Sequence, residues 1–251
     1  MADCILETRT LTKEFKGFTA VSKVDLQVAR GQIHALIGPN GAGKTTVFNM
    51  LTKFIAPTSG SILFNGRDIT RRTAVDIANQ GMIRSFQISA VFPHMNALEN
   101  VRIALQRSLG NLSYKFWKSD RSLERLNERA MELLEAVGLT EFAHAMTVEL
   151  AYGRKRALEL ATTLALDPEL MLLDEPTQGM GAEDVSTITA LIKKASEKRT
   201  VLMVEHNLGV VATLADRITV LNRGEVLAQG SYAQVSENPD VMEAYLGVGH
   251  D

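Results

Sequence analysis

The residues with the clearest chemical role form a glycine-rich stretch that fits the phosphate-binding pattern G-x-x-x-x-G-K-[ST]. Its glycines allow a tight turn and a close approach to a ligand, and the N–H groups at a helix start then bind an anion. Lys44 adds a positive charge for the β- and γ-phosphates, and Thr45 offers a hydroxyl to Mg²⁺. The stretch therefore predicts a site for a nucleoside triphosphate and Mg²⁺. It consists of Gly38, Pro39, Asn40, Gly41, Ala42, Gly43, Lys44, Thr45 and Thr46.

A second chemical signal is an apolar run that ends in two carboxylates, Leu-Met-Leu-Leu-Asp-Glu at residues 170–175. A buried strand of this kind brings Asp174 to Mg²⁺, directly or through water, at the carboxyl end of a parallel sheet. Glu175 can then orient and deprotonate the attacking water as a general base. The alternative interpretation is an acidic helix cap, and the glycine-rich loop elsewhere in the chain favours the magnesium site instead.

Two further polar residues follow apolar runs that predict strands. Gln87 comes at the end of a strand expected at 83–86, where a glutamine can contact Mg²⁺ or the attacking water. His206 follows a buried strand expected at 200–204, which places it within reach of a γ-phosphate. Because a lone glutamine or histidine is usually structural, both assignments depend on the strands that precede them.

An aromatic residue ahead of the glycine-rich loop is a candidate for stacking on a nucleotide base. Phe15 is the first choice and Phe18 the alternative, since both lie in the stretch between two predicted strands. The competing interpretation is that either phenylalanine is an ordinary core or surface residue.

The elements that must position these residues alternate between strands and helices, which favours an α/β fold. Asn65-Gly66 predicts a hairpin turn, and Gly138 predicts a helix end. Strands are expected at 4–9, 24–29, 33–37, 61–64, 83–86, 170–174, 200–204, 217–221 and 225–229. Helices are expected at 45–51, 73–80, most of 96–137, 158–165, 185–195 and 240–246.

Length and composition narrow the class of protein. The chain has 251 residues and a formal net charge of −2, which does not favour nucleic acid as a partner. Its single cysteine, Cys4, excludes a disulfide framework and suits a reducing compartment. We expect no signal peptide and no membrane helix, because charged residues interrupt the N-terminus and no apolar run is long enough. Any action at a membrane would require another chain.

Taken together, these motifs resemble the ATP-binding subunits of ABC transporters, and the resemblance covers nearly the whole chain. The glycine-rich loop matches the Walker A motif, residues 170–175 match Walker B, and Gln87 matches the Q-loop. Residues 178–181 correspond to the D-loop and His206 to the switch histidine. Phe15 falls where the family stacks an aromatic ring on adenine. The resemblance also places a signature motif at Leu150, Ala151, Tyr152, Gly153 and Arg154.

The resemblance implies an α/β P-loop ATPase fold with a parallel core sheet, an antiparallel β subdomain and a helical subdomain. The core would consist of 1–87 plus 166–236, the helical subdomain of 88–165, and the C-terminal helix and tail of 237–251. Two ATPase subunits, as a homo- or heterodimer, would bind two ATP molecules with Mg²⁺ between them, each ATP contacting one Walker A and the opposite signature. The dimer would lie at the cytoplasmic face of the inner membrane, held peripherally by permease subunits and served indirectly by a substrate-binding protein.

Within the family, the chain resembles the longer ATPase subunit of branched-chain amino acid importers. The indications are the Tyr-Gly form of the signature, an insertion around 106–122 and the ending Asn-Pro-Asp-Val-Met-Glu-Ala-Tyr-Leu-Gly. The aromatic and lysine residues of 110–118, inside this insertion, indicate a membrane interface, a partner groove or a solvated loop. Importers of urea, amides or aromatic acids share these features, so they remain alternatives for the solute.

The signature departs from the family pattern, which usually has a serine and a glutamine where this chain has Ala151 and Arg154. Alanine cannot cap the following helix or contact the γ-phosphate as the serine does, although Arg154 could reach phosphate from the same helix start. A non-catalytic, nucleotide-gated subunit is therefore one alternative hypothesis. Another is a soluble ABC ATPase of iron–sulfur cluster assembly, which would share every nucleotide motif and need no membrane partner.

Overall fold

The computed structural model describes residues 3–85, 91–107 and 126–246. The chain forms two compact units, Met1–Arg84 with Glu169–Pro176 and Ser196–Asp251, and Ser85–Pro168 with Thr177–Ala195. Among the described residues, the strands are β1 (Cys4–Phe15), β2 (Phe18–Ala29), β3 (Ile33–Ile37), β4 (Ser59–Phe64), β5 (Arg67–Asp68), β6 (Met82–Ser85), β7 (Leu170–Asp174), β8 (Thr200–Val204), β9 (Arg217–Asn222) and β10 (Glu225–Gly230). The α-helices are α1 (Lys44–Leu51), α2 (Ala74–Asn79), α3 (Ala97–Gln106), α4 (Asn127–Ala136), α5 (Tyr152–Ala165), α6 (Ala182–Ser196), α7 (Leu208–Leu214), α8 (Tyr232–Ser236) and α9 (Pro239–Leu246).

The sheet that carries the candidate chemistry has the strand order β10-β9-β3-β8-β7-β6. β3 pairs in parallel with β8 and β9, and β7 pairs in parallel with β8. Every residue of β3, β7 and β8 is buried, as expected for parallel strands that are covered on both faces. Parallel pairing brings the segments after Ile37, Asp174 and Val204 to one edge of the sheet. The predicted α/β fold with a parallel core sheet is confirmed.

A second sheet in the first unit is antiparallel and has the order β2-β1-β4-β5. Its first two strands are longer than the predicted ranges 4–9 and 24–29, because β1 continues to Phe15 and β2 begins at Phe18. The added residues are largely polar or exposed and lack a clear alternating apolar pattern. Backbone pairing therefore holds them in the sheet, and Phe15 lies on a strand instead of in a connecting loop.

The core of the first unit surrounds α1, the helix that follows the glycine-rich loop. Val47, Phe48 and Leu51 on this helix are buried with residues of both sheets, including Phe64 of the antiparallel sheet and Leu172 of the parallel one. Burial of apolar surface stabilises the fold by about 25 cal/mol per Å². This packing therefore fixes α1, including its N-terminus, at a defined place beside β3.

The second unit is built on α3, α4 and α5, which pack against one another. The buried side chain of Asn100 on α3 accepts from the Phe92 amide and donates to the Thr147 hydroxyl, tying two connecting segments to the helix. The helical region predicted over 96–137 is confirmed at both of its ends. The greater part of the insertion at 106–122 falls within 108–125, outside the described residues.

Within the part of the chain that the structure describes, no helix combines the length and the apolar character needed to cross a lipid bilayer.

A buried histidine in β3 makes stability depend on pH. Burial lowers the pKa of His34 to about 3, helped by the charge of Arg217, and its Nε2 lies 2.8 Å from the Thr219 hydroxyl. In the unfolded chain His34 takes up a proton near pH 6.5, whereas in the folded chain it does so only near pH 3. The free energy of unfolding therefore falls as the pH drops from 6.5 towards 3. At pH 5 this residue is expected to lower the free energy of unfolding by about 2 kcal/mol relative to pH 7.

The measurement is urea unfolding of His34→Gln and of wild type at pH 7 and pH 5, with the exposed His144→Gln as control. Glutamine does not titrate and can still hydrogen-bond Thr219, so the variant should lose less stability than wild type between the two pH values. An equal loss in wild type and His34→Gln would contradict the assignment.

Candidate nucleotide-binding site

The glycine-rich loop connects β3 to α1, as its sequence pattern requires. Gly43 is the N-cap residue of α1 in the left-handed conformation, and no side chain caps the helix. The first N–H groups of α1 therefore point out of the helix without a side-chain acceptor, which fits a phosphate group. Asn40, Gly41 and Thr45 are exposed, so an anion can approach them.

Lys44 lies against its own loop. Its Nζ donates to the carbonyl oxygens of Gly38 and Pro39 at 2.7 and 2.9 Å, and the residue is only 8% exposed. Burial lowers the pKa of the Lys44 ammonium, while the negative charge of Glu175 raises it. The lysine is therefore held near the loop and within electrostatic range of the candidate general base.

Three glycines form a junction in which main chains meet without intervening side chains. An added Cβ at Gly38 would overlap the Leu221 carbonyl oxygen, and one at Gly43 would lie 2.8 Å from the Ala20 carbonyl oxygen. Gly224 packs on the same Ala20 carbonyl, and its N–H donates to Ala42 at 3.1 Å. We call these contacts the backbone junction. Packing within the fold therefore requires glycine at Gly38 and Gly43, apart from any contact with a ligand.

The two candidate carboxylates follow one another at the end of β7. Asp174 is the last residue of the strand, directly opposite Val204 in the neighbouring β8. Glu175 has a φ of 46°, in the left-handed region, and its N–H donates to the Val204 carbonyl at 2.9 Å. A non-glycine residue in this conformation is uncommon and occurs often at functional sites. Here it turns the chain sharply out of the sheet directly after Asp174.

His206 follows β8 at the same edge of the sheet, and its side chain is 56% exposed. The neighbouring Glu205 is fully buried and accepts from the N–H groups of His206 and Asn207 at 2.8 and 3.0 Å. Asn207 in turn caps α7. The segment after β8 is therefore fixed through its backbone, and the imidazole faces solvent, where it can meet a ligand.

Phe15 and Phe18 lie opposite each other at the tip of the β1–β2 hairpin. They are 44% and 67% exposed, so neither is a core residue. Lys13 Nζ lies 5.0 Å from the centre of the Phe15 ring, in the cation–π range. Phe15 is the less exposed of the two rings and has the neighbouring cation, and it is also the residue that the sequence favours for base stacking.

The signature segment lies in the second unit, at the start of α5. Ala151 is the N-cap residue and provides no side-chain cap, as predicted from the alanine. The Tyr152 hydroxyl donates to the Gln178 carbonyl at 3.2 Å, while Gly153 packs so closely on Asp184 that a Cβ would overlap that carboxylate. Arg154 stacks its guanidinium 3.9 Å from the centre of the Phe142 ring. The arginine considered a phosphate contact thus has an intrachain partner.

Two residues of the first unit that contact the candidate site were not predicted from the sequence. Arg84 on β6 forms an ion pair with Asp174, and a charged residue in a short apolar strand could have signalled such a buried partner. Burial raises the pKa of Tyr245, on the C-terminal helix α9, to about 12, and the neighbouring Gly38 backbone opposes the rise. No sequence signal connects that tyrosine to the loop. Gln87, the candidate of the Q-loop, lies outside the described residues.

Known proteins resemble the chain over nearly its full length. The family described as ABC transporter matches residues 21–178, and the family described as branched-chain amino acid ATP-binding cassette transporter matches residues 225–251. The high-affinity branched-chain amino acid transport ATP-binding protein BraF of Pseudomonas aeruginosa is 42% identical over 98% of this chain and 99% of its own length. LivG of Escherichia coli, with the same description, is 37% identical over the same shares.

Solved structures agree with this relationship. The crystal structure of the ADP conformation of MJ1267, an ATP-binding cassette of an ABC transporter, has a TM-score of 0.85 and 28% identity, covering 97% of this chain and 99% of that one. A dimeric structure of MJ0796, a bacterial ABC transporter cassette, has a TM-score of 0.74 and 26% identity, covering 90% and 98%. The chain therefore belongs to the ABC transporter family, as an ATP-binding and ATP-hydrolysing subunit.

Proposed function

We propose that this subunit powers an importer of branched-chain amino acids. The observation that carries the nucleotide chemistry is the single sheet edge at which the glycine-rich loop, Asp174, Glu175 and His206 follow β3, β7 and β8. The choice of solute is supported by the descriptions of the relatives and by the match of the C-terminal residues 225–251. Importers of urea, amides or aromatic acids are the nearest alternatives.

In this proposal the protein residues divide the work on ATP. The N–H groups of the loop and Lys44 bind the phosphates, and the Phe15 ring stacks on adenine. Glu175 takes the proton of the attacking water, and His206 contacts the γ-phosphate. Glu175 adopts a left-handed backbone conformation directly after Asp174, and the two acids have separate tasks.

Mg²⁺ fits the oxygen donors available, since Thr45 is exposed at the start of α1 and Asp174 ends a buried strand. These two residues and Gln87 would hold the ion, which when bound neutralises charge on the phosphate oxygens. The protein's own part is to present those oxygens at fixed positions and to keep Lys44 beside them.

The assembly follows from the same proposal. A second ATPase subunit, identical or related, supplies its Ala151, Tyr152, Gly153 and Arg154 to each ATP, which closes the site against water. The core (1–87 plus 166–236) binds nucleotide, the helical subdomain (88–165) transmits closure, and residues 237–251 form the C-terminal helix and tail. Permease subunits hold the dimer at the cytoplasmic face of the inner membrane, and a substrate-binding protein delivers the solute to them.

The test is purification of the complex with its permeases and its substrate-binding protein, followed by ATPase measurement in proteoliposomes. Leucine, isoleucine or valine on the binding protein should stimulate ATP hydrolysis, whereas urea, amides and aromatic acids should not. Stimulation by urea, an amide or an aromatic acid would show that this compound is the transported solute in place of branched-chain amino acids. Recovery of the chain in a membrane-free complex that assembles iron–sulfur clusters would overturn the transport function.

The hairpin tip yields a prediction for base stacking. Phe15→Ala should weaken ATP binding by about 0.5–1.5 kcal/mol, the range of an aromatic pair, as measured by equilibrium titration of the nucleotide. Phe18→Ala, at the directly opposite position, is the matched control and should change affinity less. If Phe18→Ala has the larger effect, the stacking ring was assigned to the wrong side of the turn.

The uncapped start of α5 yields another prediction. Ala151→Ser should stabilise the nucleotide-free chain by about 0.5–2 kcal/mol, because a serine oxygen accepts from an N–H group in the first helical turn. In the assembled complex it should also raise ATPase activity or ATP-driven dimerisation. Arg154→Gln provides the second arm of a double-mutant cycle, in which a larger gain from serine would show that Arg154 compensates for the missing hydroxyl. Unchanged unfolding and turnover in both backgrounds would mean that the motif acts through its backbone alone.

A further inference from the structure

Arg84 is a charged residue in the interior of the first unit. It lies on β6, whose neighbours Met82 and Ile83 are buried, and its own side chain is only 11% exposed. Its Nη2 donates to Asp174 Oδ2 at 2.5 Å, and the Asp174 side chain is 4% exposed. A buried carboxylate thus has a guanidinium as its partner at the position where the proposed function needs a ligand for Mg²⁺.

The same guanidinium is anchored to the far end of α1. Its Nη1 donates to the Asn49 side-chain oxygen at 2.9 Å and to the Thr52 hydroxyl at 3.1 Å. The rings of Phe48 and Phe54 lie 5.9 and 5.3 Å from its central carbon, in the cation–π range. Arg84 therefore joins the strand that carries Asp174 to the helix that begins with Lys44 and Thr45.

The geometry leaves one side of the carboxylate for another partner. The hydrogen bond from Arg84 reaches Oδ2, one of the two oxygens of the Asp174 carboxylate. Oδ1 is then the oxygen on which a cation or its bound water can act. A carboxylate held on one oxygen by a donor keeps a fixed orientation, and partners of this kind tune metal affinity.

We propose that Arg84 is a positioning residue for the Mg²⁺-dependent step of nucleotide binding. It orients the Asp174 carboxylate and holds it at a fixed distance from the start of α1, so that Asp174 and Thr45 present their oxygens together. This inference rests on the proposed function, which assigns both residues to Mg²⁺. A guanidinium suits the task because its planar fork binds the carboxylate and the two α1 acceptors at the same time.

The experiment is a Mg²⁺ titration of fluorescent ATP-analogue binding to the full chain. Arg84→Gln should raise the Mg²⁺ concentration needed for half-maximal binding by about 10–100-fold, the usual cost of losing such a partner. Binding of the analogue in EDTA should stay within about threefold of wild type, because the loop and Lys44 are untouched. Arg84→Lys keeps the charge but not the fork and should recover only part of the shift. The exposed Arg72→Gln is the matched control and should leave the titration unchanged.

The outcomes separate this inference from the function on which it rests. If wild type fails to bind the analogue, or binds it without dependence on Mg²⁺, the assignment of Asp174 and Thr45 to Mg²⁺ in the proposed function is wrong. If wild type depends on Mg²⁺ and Arg84→Gln titrates like wild type, the inference is overturned even where urea unfolding shows lower stability.

Should Arg84→Gln fail to fold, Asn49→Ala with Thr52→Val removes the α1 acceptors and keeps the ion pair. The Mg²⁺ requirement should then rise in the same direction but by less, and an unchanged requirement would overturn the inference.

Discussion

Glu175→Gln is expected to lose about 10²–10⁴-fold in ATP hydrolysis, the usual contribution of a general base, while keeping its affinity for ATP. Glutamine has nearly the same shape as glutamate and can still orient a water molecule, but it cannot accept the proton. Since Glu175 adopts a left-handed backbone conformation set by its hydrogen bond to Val204, the substitution should leave the turn intact. The variant should therefore accumulate an ATP-bound dimer.

The measurement is turnover by the assembled complex, together with ATP affinity and dimer formation by size-exclusion chromatography. Glu183→Gln, an exposed carboxylate in the first turn of α6, is the control and should hydrolyse ATP normally. Near-normal hydrolysis by Glu175→Gln would remove this residue from the catalytic role. The loss of the charge next to Lys44 should also appear as a lower pKa of that ammonium, since Glu175 raises it in wild type.

Gly38→Ala is expected to lower the free energy of unfolding by about 2–5 kcal/mol, even without nucleotide. The added methyl group would overlap the Leu221 carbonyl oxygen, and a main-chain atom of a paired strand cannot move aside as a flexible side chain can. The φ of 150° at Gly38 adds backbone strain for any L side chain. The loss of stability therefore comes from steric overlap and backbone strain within the fold, and it does not depend on any contact with phosphate.

Gly66→Ala separates the two contributions. Gly66 also has a positive φ, 71°, but an added Cβ there meets nothing within 4 Å. The free energy of unfolding of Gly66→Ala should therefore fall only by the cost of backbone strain, about 1 kcal/mol. Urea unfolding of both variants without ATP measures the difference, and equal losses would mean that the contact with Leu221 yields at little cost.

Much of the nucleotide site could be predicted because its signals are local. The glycine-rich loop, the run at 170–175 and the buried strand before His206 each carry their own pattern of residue types. Their meeting at one sheet edge then follows from parallel pairing, which is a general property of apolar strands joined by helices. Local patterns combined with one topological rule were therefore sufficient for this part of the fold.

The remaining features depend on partners that are distant in the sequence. The ion pair between Arg84 and Asp174 joins residues of two strands, and neither local pattern contains the other. Arg154 was assigned by its place in a motif, whereas the structure stacks it on Phe142, outside that motif. The predicted ranges of β1, which ends at Phe15, and β2, which begins at Phe18, were too short, since backbone pairing extends both strands into a largely polar hairpin tip.

The backbone junction also makes the nucleotide loop observable from outside it. The Gly224 N–H donates to the Ala42 carbonyl inside the loop, and the Ser22 N–H donates to the Gly224 carbonyl. Both amides can exchange with deuterium only when these contacts open, so their exchange rates follow the local opening of the structure. Deuterium uptake at Ser22 and Gly224 in the unmodified chain thus records how often the phosphate loop loosens, with no label attached to the loop and no residue of it replaced.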